Sequence, residues 1–247
     1  MLGVVEMKVE GKNACREALL TETTIDKLLV QNGVECGELI SLAKKRNVKI
    51  QYANKQILDE QSVTKKHQGV ILYTSDFVYS SVDEIVETAK NKGEDLLLLI
   101  LDGIEDPHNL GSILRVAECA GVSGVIIPKH RAVCVNETVA KVSAGAVSRV
   151  KVARVTNIND EIKKLKEMGV FVFVADMDGE QMYRTNLSGD VALVIGSEGF
   201  GVGALTKKLA DGVVSIPMFG KINSLNASVS AGIVVYEAIR QRNNLGK

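Results

Sequence analysis

Leu193-Val194-Ile195-Gly196-Ser197-Glu198-Gly199 closes a run of β-branched residues and breaks it with glycine. About 20 residues on, Ile216-Pro217-Met218 leads through a second polar turn to Ser224-Leu225-Asn226-Ala227-Ser228. Each segment starts where a strand pattern stops and runs on into a helical one. In open α/β sheets, ligands bind at such strand ends. Two such turns of similar polarity imply one ligand held between them. Neither offers Lys-Ser/Thr for a triphosphate or a clean Gly-x-Gly-x-x-Gly. That argues against a nucleotide gripped by its phosphates.

The pattern of strand, turn and helix extends back to Asp95. Apolar strands are expected at Leu96 to Leu101, Gly124 to Ile127, Val170 to Val174, Val191 to Ile195 and Val213 to Ile216. Helical patterns lie at Leu110 to Ala120, Glu137 to Val147, Asp160 to Met168, Ala204 to Leu209 and Asn226 to Arg240. Continuous apolar strands are covered on both faces, which implies a parallel sheet. Before this region, Met7 to Tyr73 reads as a smaller α/β unit. Its helices are expected at Asn13 to Leu20 and Ile40 to Arg46, its strands at Val48 to Tyr52 and Gly69 to Tyr73. Val82, Ile85, Val86 and Ala89 share one helical face within Val82 to Asn91. The expected organisation is therefore 1–75, a linker and entry helix over 76–93, and 94–247.

Composition narrows the function classes. The 247 residues carry zero formal net charge, so no global field attracts nucleic acid. Basic residues cluster locally, at Lys44-Lys45-Arg46, Lys65-Lys66-His67 and Lys129-His130-Arg131. Any one such cluster is by default a solvated surface. Aromatic residues are only 4% of the chain, so base stacking is not the main recognition device. Cys15, Cys36, Cys119 and Cys134 form no C-x-x-C pair, so neither a metal site nor a disulfide framework is expected. Scattered thiols suit a reducing cytoplasm. The longest apolar run is too short for a bilayer, and the first residues lack a signal-peptide pattern, so no membrane partner is expected.

A third polar segment, Asp106-Pro107-His108-Asn109-Leu110-Gly111 with Arg115, follows the Leu96 strand. In the plainer reading Asn109 is a helix cap and Arg115 a solvated helix residue. Asn109 and Arg115, six apart, fall on different helical faces but could converge if Asn109 lies in the turn. Glu198 would then sit in a first helical turn, favoured by the helix dipole. Ser224, Asn226 and Ser228 would likewise be caps. The stripe Val229, Gly232, Ile233 and Tyr236 suits a core or a subunit interface better than a cofactor box.

In this order and spacing the three segments resemble the three motifs of the SpoU branch of the SPOUT methyltransferases. The resemblance covers about residues 95 to 242. The N-terminal part is similar, more weakly, to the ribosomal-protein-like RNA-binding domain that precedes the catalytic domain in some members. Gly11-Lys12-Asn13-Ala14, Ala53-Asn54-Lys55, His67-Gln68-Gly69-Val70 and Ile239-Arg240-Gln241-Arg242 most resemble bacterial members that methylate a guanosine ribose in 23S rRNA.

The resemblance implies a parallel sheet with a deep C-terminal trefoil knot and a homodimer with its active site near the subunit interface. It implies S-adenosylmethionine as cofactor, met largely by backbone near Gly196, Ile216 and Leu225, with Ser197, Met218 and Ser224 beside them. The substrate would be a ribose 2′-hydroxyl in RNA, 23S rRNA above all. Arg115, Asn109, Glu198, Ser224 and Asn226 would form the catalytic set, without metal. The family's motif-one arginine is proposed as the base. A guanidinium with a pKa above about 12 suits that role poorly. Arg115 is better read as a phosphate clamp that also stabilises developing alkoxide charge. Asn109 and Asn226 would orient it or the hydroxyl, Glu198 would fix its fork or the loop of the third motif, and His108 is a weaker candidate base. The alternatives are a tRNA 2′-O-methyltransferase of the same family, a non-catalytic RNA-binding assembly protein, and a nucleotide enzyme on a doubly wound sheet.

Overall fold

The computed structural model describes residues 6–20, 24–75, 77–221 and 224–243. The ends of the two expected domains, 1–5 and 244–247, lie outside the described residues, as do 21–23, 76 and 222–223. The chain divides into two units, numbers 2–78 with 134–137 and numbers 79–133 with 138–247.

In the first unit the chain runs β1 (Glu6–Glu10), α1 (Lys12–Leu20), β2 (Thr24–Gln31), α2 (Gly37–Lys45), β3 (Lys49–Ala53), α3 (Lys55–Gln61) and β4 (Val70–Ser75). The sheet order is β1-β4-β2-β3; β2 and β3 are parallel, and β4 is antiparallel to β1 and β2. Successive strand residues point to opposite faces. Leu28, Val30 and Leu72 therefore pack with Cys15, Leu19, Leu39 and Ala43 of α1 and α2, while Leu29, Ile71 and Tyr73 pack with Leu58 of α3. The strand β2 and the helix α3 escape the sequence pattern. Asp26 and Lys27 interrupt the apolar run of β2, and α3 buries only Leu58.

The second unit runs α4 (Val82–Lys92), β5 (Leu97–Asp102), α5 (Pro107–Cys119), β6 (Gly124–Pro128), α6 (Glu137–Val142), β7 (Val152–Val155), α7 (Ile158–Glu167), β8 (Phe171–Gln181), β9 (Val191–Gly196), α8 (Ala204–Leu209), β10 (Gly212–Ser215) and α9 (Ala227–Arg242). Its sheet is parallel, in the order β10-β8-β9-β5-β6-β7. Leu97 to Leu101 are all buried, as a central parallel strand requires. The entry helix α4 buries Val82, Ile85, Val86 and Ala89 into this unit's core with Leu98, Ile100 and Val172. It is thus part of the second unit rather than a tether. The helix α6 is shorter than the pattern suggested. Ala144 (φ 52°) and Gly145 (φ 86°) turn the backbone left-handed and end it.

From β5 the chain moves to β6 and β7 on one side, whereas β9 leads to β10 on the other. The order reverses between β5 and β9, the place where such sheets open a crevice at their carboxyl ends. Register puts Asp102 beside Gly196, and Ala175 beside Ile195, along that edge.

Candidate active site

Pro107 opens α5 at its first turn, and Asp106 caps it, accepting from the His108 backbone N–H at 3.0 Å. Asn109 is therefore inside the helix and does not cap it, which corrects the sequence reading. Its side chain is free to reach elsewhere: Nδ2 donates to Glu198 Oε1 at 2.9 Å. Glu198 lies in the turn after β9 rather than in a helical first turn, because α8 begins only at Ala204. That turn is closed by the Gly201 N–H donating to the Ser197 carbonyl at 2.9 Å. Its far end is tied to β5 by the Gly203 N–H donating to Asp102 Oδ2 at 3.0 Å.

Asn226 caps α9, its Oδ1 accepting from the backbone N–H groups of Ser228 (3.0 Å) and Val229 (3.3 Å). The cap fixes which way the amide points. With Oδ1 engaged, Nδ2 donates to Asn109 Oδ1 at 2.9 Å and to Glu198 Oε1. Asn109, Glu198 and Asn226, one from each sequence segment, thus form a closed set of three side chains.

Beside this set lies a cleft of about 530 Å³. Gly196, Ser197, Ile216, Met218, Ser224 and Leu225 all line it, as does Glu198. Gly196 has a different reason for being glycine than ligand approach. A Cβ there would stand 2.3 Å from the Gly201 carbonyl carbon, so any side chain breaks the 197–201 turn before it fills the cleft. The lining also includes charged residues that the three segments do not contain, Asp176, Asp178 and Lys207. Asp176 pairs with Lys207 at 2.7 Å, at the end of the regular pairing of β8 with β9. Its position just past the Val170–Val174 run was the available signal. A smaller cavity of about 180 Å³, lined by Ala89, Leu96 and Asp190, lies at the opposite, amino ends of β5 and β9.

The structure leaves Arg115 outside this set. It is exposed on α5, absent from the cleft lining, and without a hydrogen-bond or ion-pair partner among the described residues. His108 is also exposed, with only its backbone engaged. On α9, Val229 and Tyr236 are about half exposed (48% and 51%), so that stripe is not core within this chain.

Residues 96–236 match the SpoU rRNA Methylase family, and residues 8–80 match the RNA 2′-O ribose methyltransferase substrate-binding domain. The chain belongs to the SpoU rRNA methylase family. A TrmH family tRNA/rRNA methyltransferase of Bacillus subtilis, YacO, is 44% identical over 244 residues, covering 97% of both chains. A TrmH family tRNA/rRNA methyltransferase of Staphylococcus aureus is 43% identical over 244 residues, covering 97% of this chain and 98% of its own. Among solved structures, the SpoU methyltransferase AviRb of Streptomyces viridochromogenes shares the fold, with a TM-score of 0.62 at 23% identity over 97% of this chain and 90% of its own. The parallel sheet is thus a SPOUT sheet, preceded by a substrate-binding domain. SpoU enzymes are RNA 2′-O-ribose methyltransferases, and the methyl donor is S-adenosylmethionine.

The C-terminal resemblance to SpoU members has a structural basis. Gln241 Nε2 donates to the Thr185 carbonyl at 3.0 Å, and its Oε1 accepts from the Leu187 N–H at 2.8 Å. Arg242 donates to the carbonyls of Asp95 (3.1 Å), Leu96 (2.8 Å) and Gly189. These bonds latch the end of α9 to the starts of β5 and β9. Among the described residues, no group of His, Cys, Asp and Glu is arranged to hold a metal ion, and no helix is long and apolar enough to cross a membrane.

Proposed function

We propose that this chain transfers the methyl group of S-adenosylmethionine to the 2′-hydroxyl of a guanosine in 23S rRNA. The closed set Asn109–Glu198–Asn226 carries this reading, because it draws three distant segments to one point beside the cleft. The residues present fit the cofactor. The cleft's volume of about 530 Å³ lies within the usual range for small-molecule sites. Along its lining Asp176, Asp178 and Glu198 outnumber Lys207, which favours a cation over a phosphate. Gly196, Ile216 and Leu225 would hold the cofactor, with Ser197, Met218 and Ser224 beside them.

When bound, S-adenosylmethionine supplies a methyl already made electrophilic by its sulfonium. The residues of the chain are then left with placing the hydroxyl, whose proton is released to solvent water, and stabilising the charge it develops, a task worth several kcal/mol as orientation alone. Glu198 locks the amides of Asn109 and Asn226, and these orient the hydroxyl. Arg115 grips an RNA phosphate with its planar fork and stabilises developing alkoxide charge. Its exposure fits a site completed by a second copy, so the working form is a homodimer, with the Val229–Tyr236 face of α9 at its interface. The C-terminal stretch forms the deep trefoil knot. In support, β10 lies beyond β8 at the sheet edge, while α9 returns to pack on α5 and β9. The N-terminal unit recognises the RNA.

The test is to incubate the protein with labelled S-adenosylmethionine and either 23S rRNA or tRNA, then map 2′-O-methylated positions. One guanosine in 23S rRNA is expected. Label confined to tRNA would replace the substrate assignment, and label in neither would leave a non-catalytic RNA-binding protein.

A further inference from the structure

We infer that the RNA backbone docks on one edge of the N-terminal sheet, where Lys12, Lys55, Lys65 and Lys66 gather at the ends of β1, β2 and β3 and the start of β4. This rests on the proposed RNA-recognition role of the unit and adds where its phosphate contacts lie. The edge is stitched by backbone bonds: Gly11 N–H to the Val70 carbonyl (3.4 Å), Gln31 N–H to that of Gly69 (2.8 Å) and Asn32 N–H to that of Ala53 (2.8 Å). Four strand ends at the usual strand spacing span roughly 14 Å. Three sequence segments that the catalytic site leaves unused, at 11–14, 53–55 and 67–70, converge there.

The loop 62–69 on this edge is built to hold a shape while facing solvent. Glu10, at the end of β1, accepts from Ser62 Oγ (2.8 Å), the Thr64 N–H (3.0 Å), the Val63 N–H and Thr64 Oγ1. His67 is buried between Asp59, 2.9 Å from its Nε2, and the Gly69 N–H, which donates to its Nδ1 at 3.0 Å. It is a buttress, not part of a basic surface. Gln68 Oε1 accepts from the Lys12 N–H at 3.0 Å, joining the loop to α1. Lys65 (φ 60°) and Gln68 (φ 52°) hold left-handed backbone, a strained conformation that persists where the surroundings dictate it. All this fixes a loop whose Lys65 and Lys66 are exposed.

None of these lysines is hydrogen-bonded to a carboxylate in the described residues. Lys12 and Lys65 Nζ donate to carbonyls, of Glu35 and Asp59, not to carboxylates. Lys55 and Lys65 lie close enough to Asp59 to help hold its carboxyl below the usual range, after the hydrogen bond from His67, whereas Lys66 Nζ has no partner among the described residues. At the other end of the sheet, the Lys44-Lys45-Arg46 cluster has an internal explanation. Lys44 and Lys45 close α2, where cations complement the helix dipole, and Arg46 donates to the carbonyls of Ala18 and Leu19 at 3.2 Å. The first edge sets its lysines around a fixed loop, with the Asp59 carboxylate among them, and such a basic row is the kind of surface that binds a phosphate backbone.

The experiment titrates transcribed 23S rRNA against the full-length protein at several salt concentrations, for wild type, Lys65→Gln/Lys66→Gln and Lys44→Gln/Lys45→Gln. Calorimetry with S-adenosylmethionine monitors the catalytic unit. The first pair should weaken RNA binding at least about tenfold at low salt. It should also flatten the dependence of log K on log salt by about 1.4 to 1.8, the loss of two phosphate contacts. The second pair should stay within about twofold. Lys55→Gln/Lys66→Gln, whose ammonium groups make no hydrogen bond among the described residues, should repeat the first result if the Lys65 change disturbs the loop. Equal losses from both edges, or a larger loss from Lys44 and Lys45, would overturn the placement while leaving the methyltransferase reading intact. An rRNA that wild type neither binds nor methylates would instead sink that reading and the docking edge with it.

Discussion

Two carboxylates, one in each unit, hold polar loops by opposite means. Glu198 accepts from the side-chain amides of Asn109 and Asn226, which arrive from 89 residues before it and 28 after it. Glu10 accepts mainly from the backbone and hydroxyls of one short segment, Ser62 to Thr64. The first arrangement positions functional side chains and leaves backbone shape to the glycines. The second fixes a backbone shape and leaves the side chains, Lys65 and Lys66, to solvent. Chemistry on a single atom requires the former, and recognition of a charged surface the latter.

The largest effect should come from separating the two units. A chain starting at residue 79 should keep S-adenosylmethionine affinity within about twofold and lose rRNA methylation. Starting at 94 instead would strip α4 and expose its core partners Leu98 and Ile100. Such a protein should be unstable, as a denaturation curve would reveal. Equal methylation by the shorter chain would end the division of labour.

Next comes Arg115. Arg115→Ala should slow single-turnover methylation by about 100-fold or more, in the range seen when a charge-stabilising donor is removed. Cofactor affinity should barely change. Arg115→Lys should recover RNA affinity and little rate, since a point charge lacks the planar fork. Near-wild-type rates from both variants would reduce Arg115 to a surface residue.

Asn226→Ala breaks the cap of α9 and the closed set together. A lost cap costs about 1 kcal/mol, a melting shift of about 2–4 °C for a chain of this size. Asn226→Asp keeps the cap but faces Glu198 with a like charge, so it should melt near wild type and still methylate slowly. If Asn226→Asp is fully active, the amide geometry is irrelevant to the reaction.

The smallest effect concerns acid. Partial burial of Glu10 opposes its ionisation, but the bonds from Thr64, Val63 and Ser62 outweigh it and hold the carboxyl down at about 2, from 4.5. A group whose pKa is depressed on folding adds stability above its unfolded value and loses it as pH falls toward its folded one. The contribution of Glu10 should therefore be full above about pH 4.5 and gone near pH 2, and solvent screening keeps it modest. Glu10→Gln should flatten that part of the stability curve. An unchanged acid limb in the variant would show that the loop 62–69 is held by other bonds.

Much of the sheet was legible because fully buried parallel strands read as unbroken apolar runs. Leu96 to Leu101 and Val191 to Ile195 are clear examples. β7, only four residues long, gives no apolar run to read, and the apolar run of β8 stops before its second half, Ala175 to Gln181, which is mostly polar. Within the candidate site, the lining residues were readable from strand ends followed by glycine or serine. The partnerships were not. No spacing rule links Asn109 to Glu198, and the helical period even separates Asn109 from Arg115. Helix chemistry does hold a clue: Pro107 favours a first helical position, which makes Asp106 the natural cap and releases Asn109. The reason for Gly196 was beyond any local reading, because the atoms that forbid a side chain belong to a backbone five residues away.

The closed turn from Ser197 to Gly201 carries Phe200 out to almost full exposure at the mouth of the cleft. The chain contains no tryptophan. Phe200→Trp would therefore install a single indole fluorophore beside the cofactor entrance, attached to a turn pinned at both ends. Its emission would give this enzyme an optical gauge of cleft occupancy, readable in real time and without a radioactive methyl group.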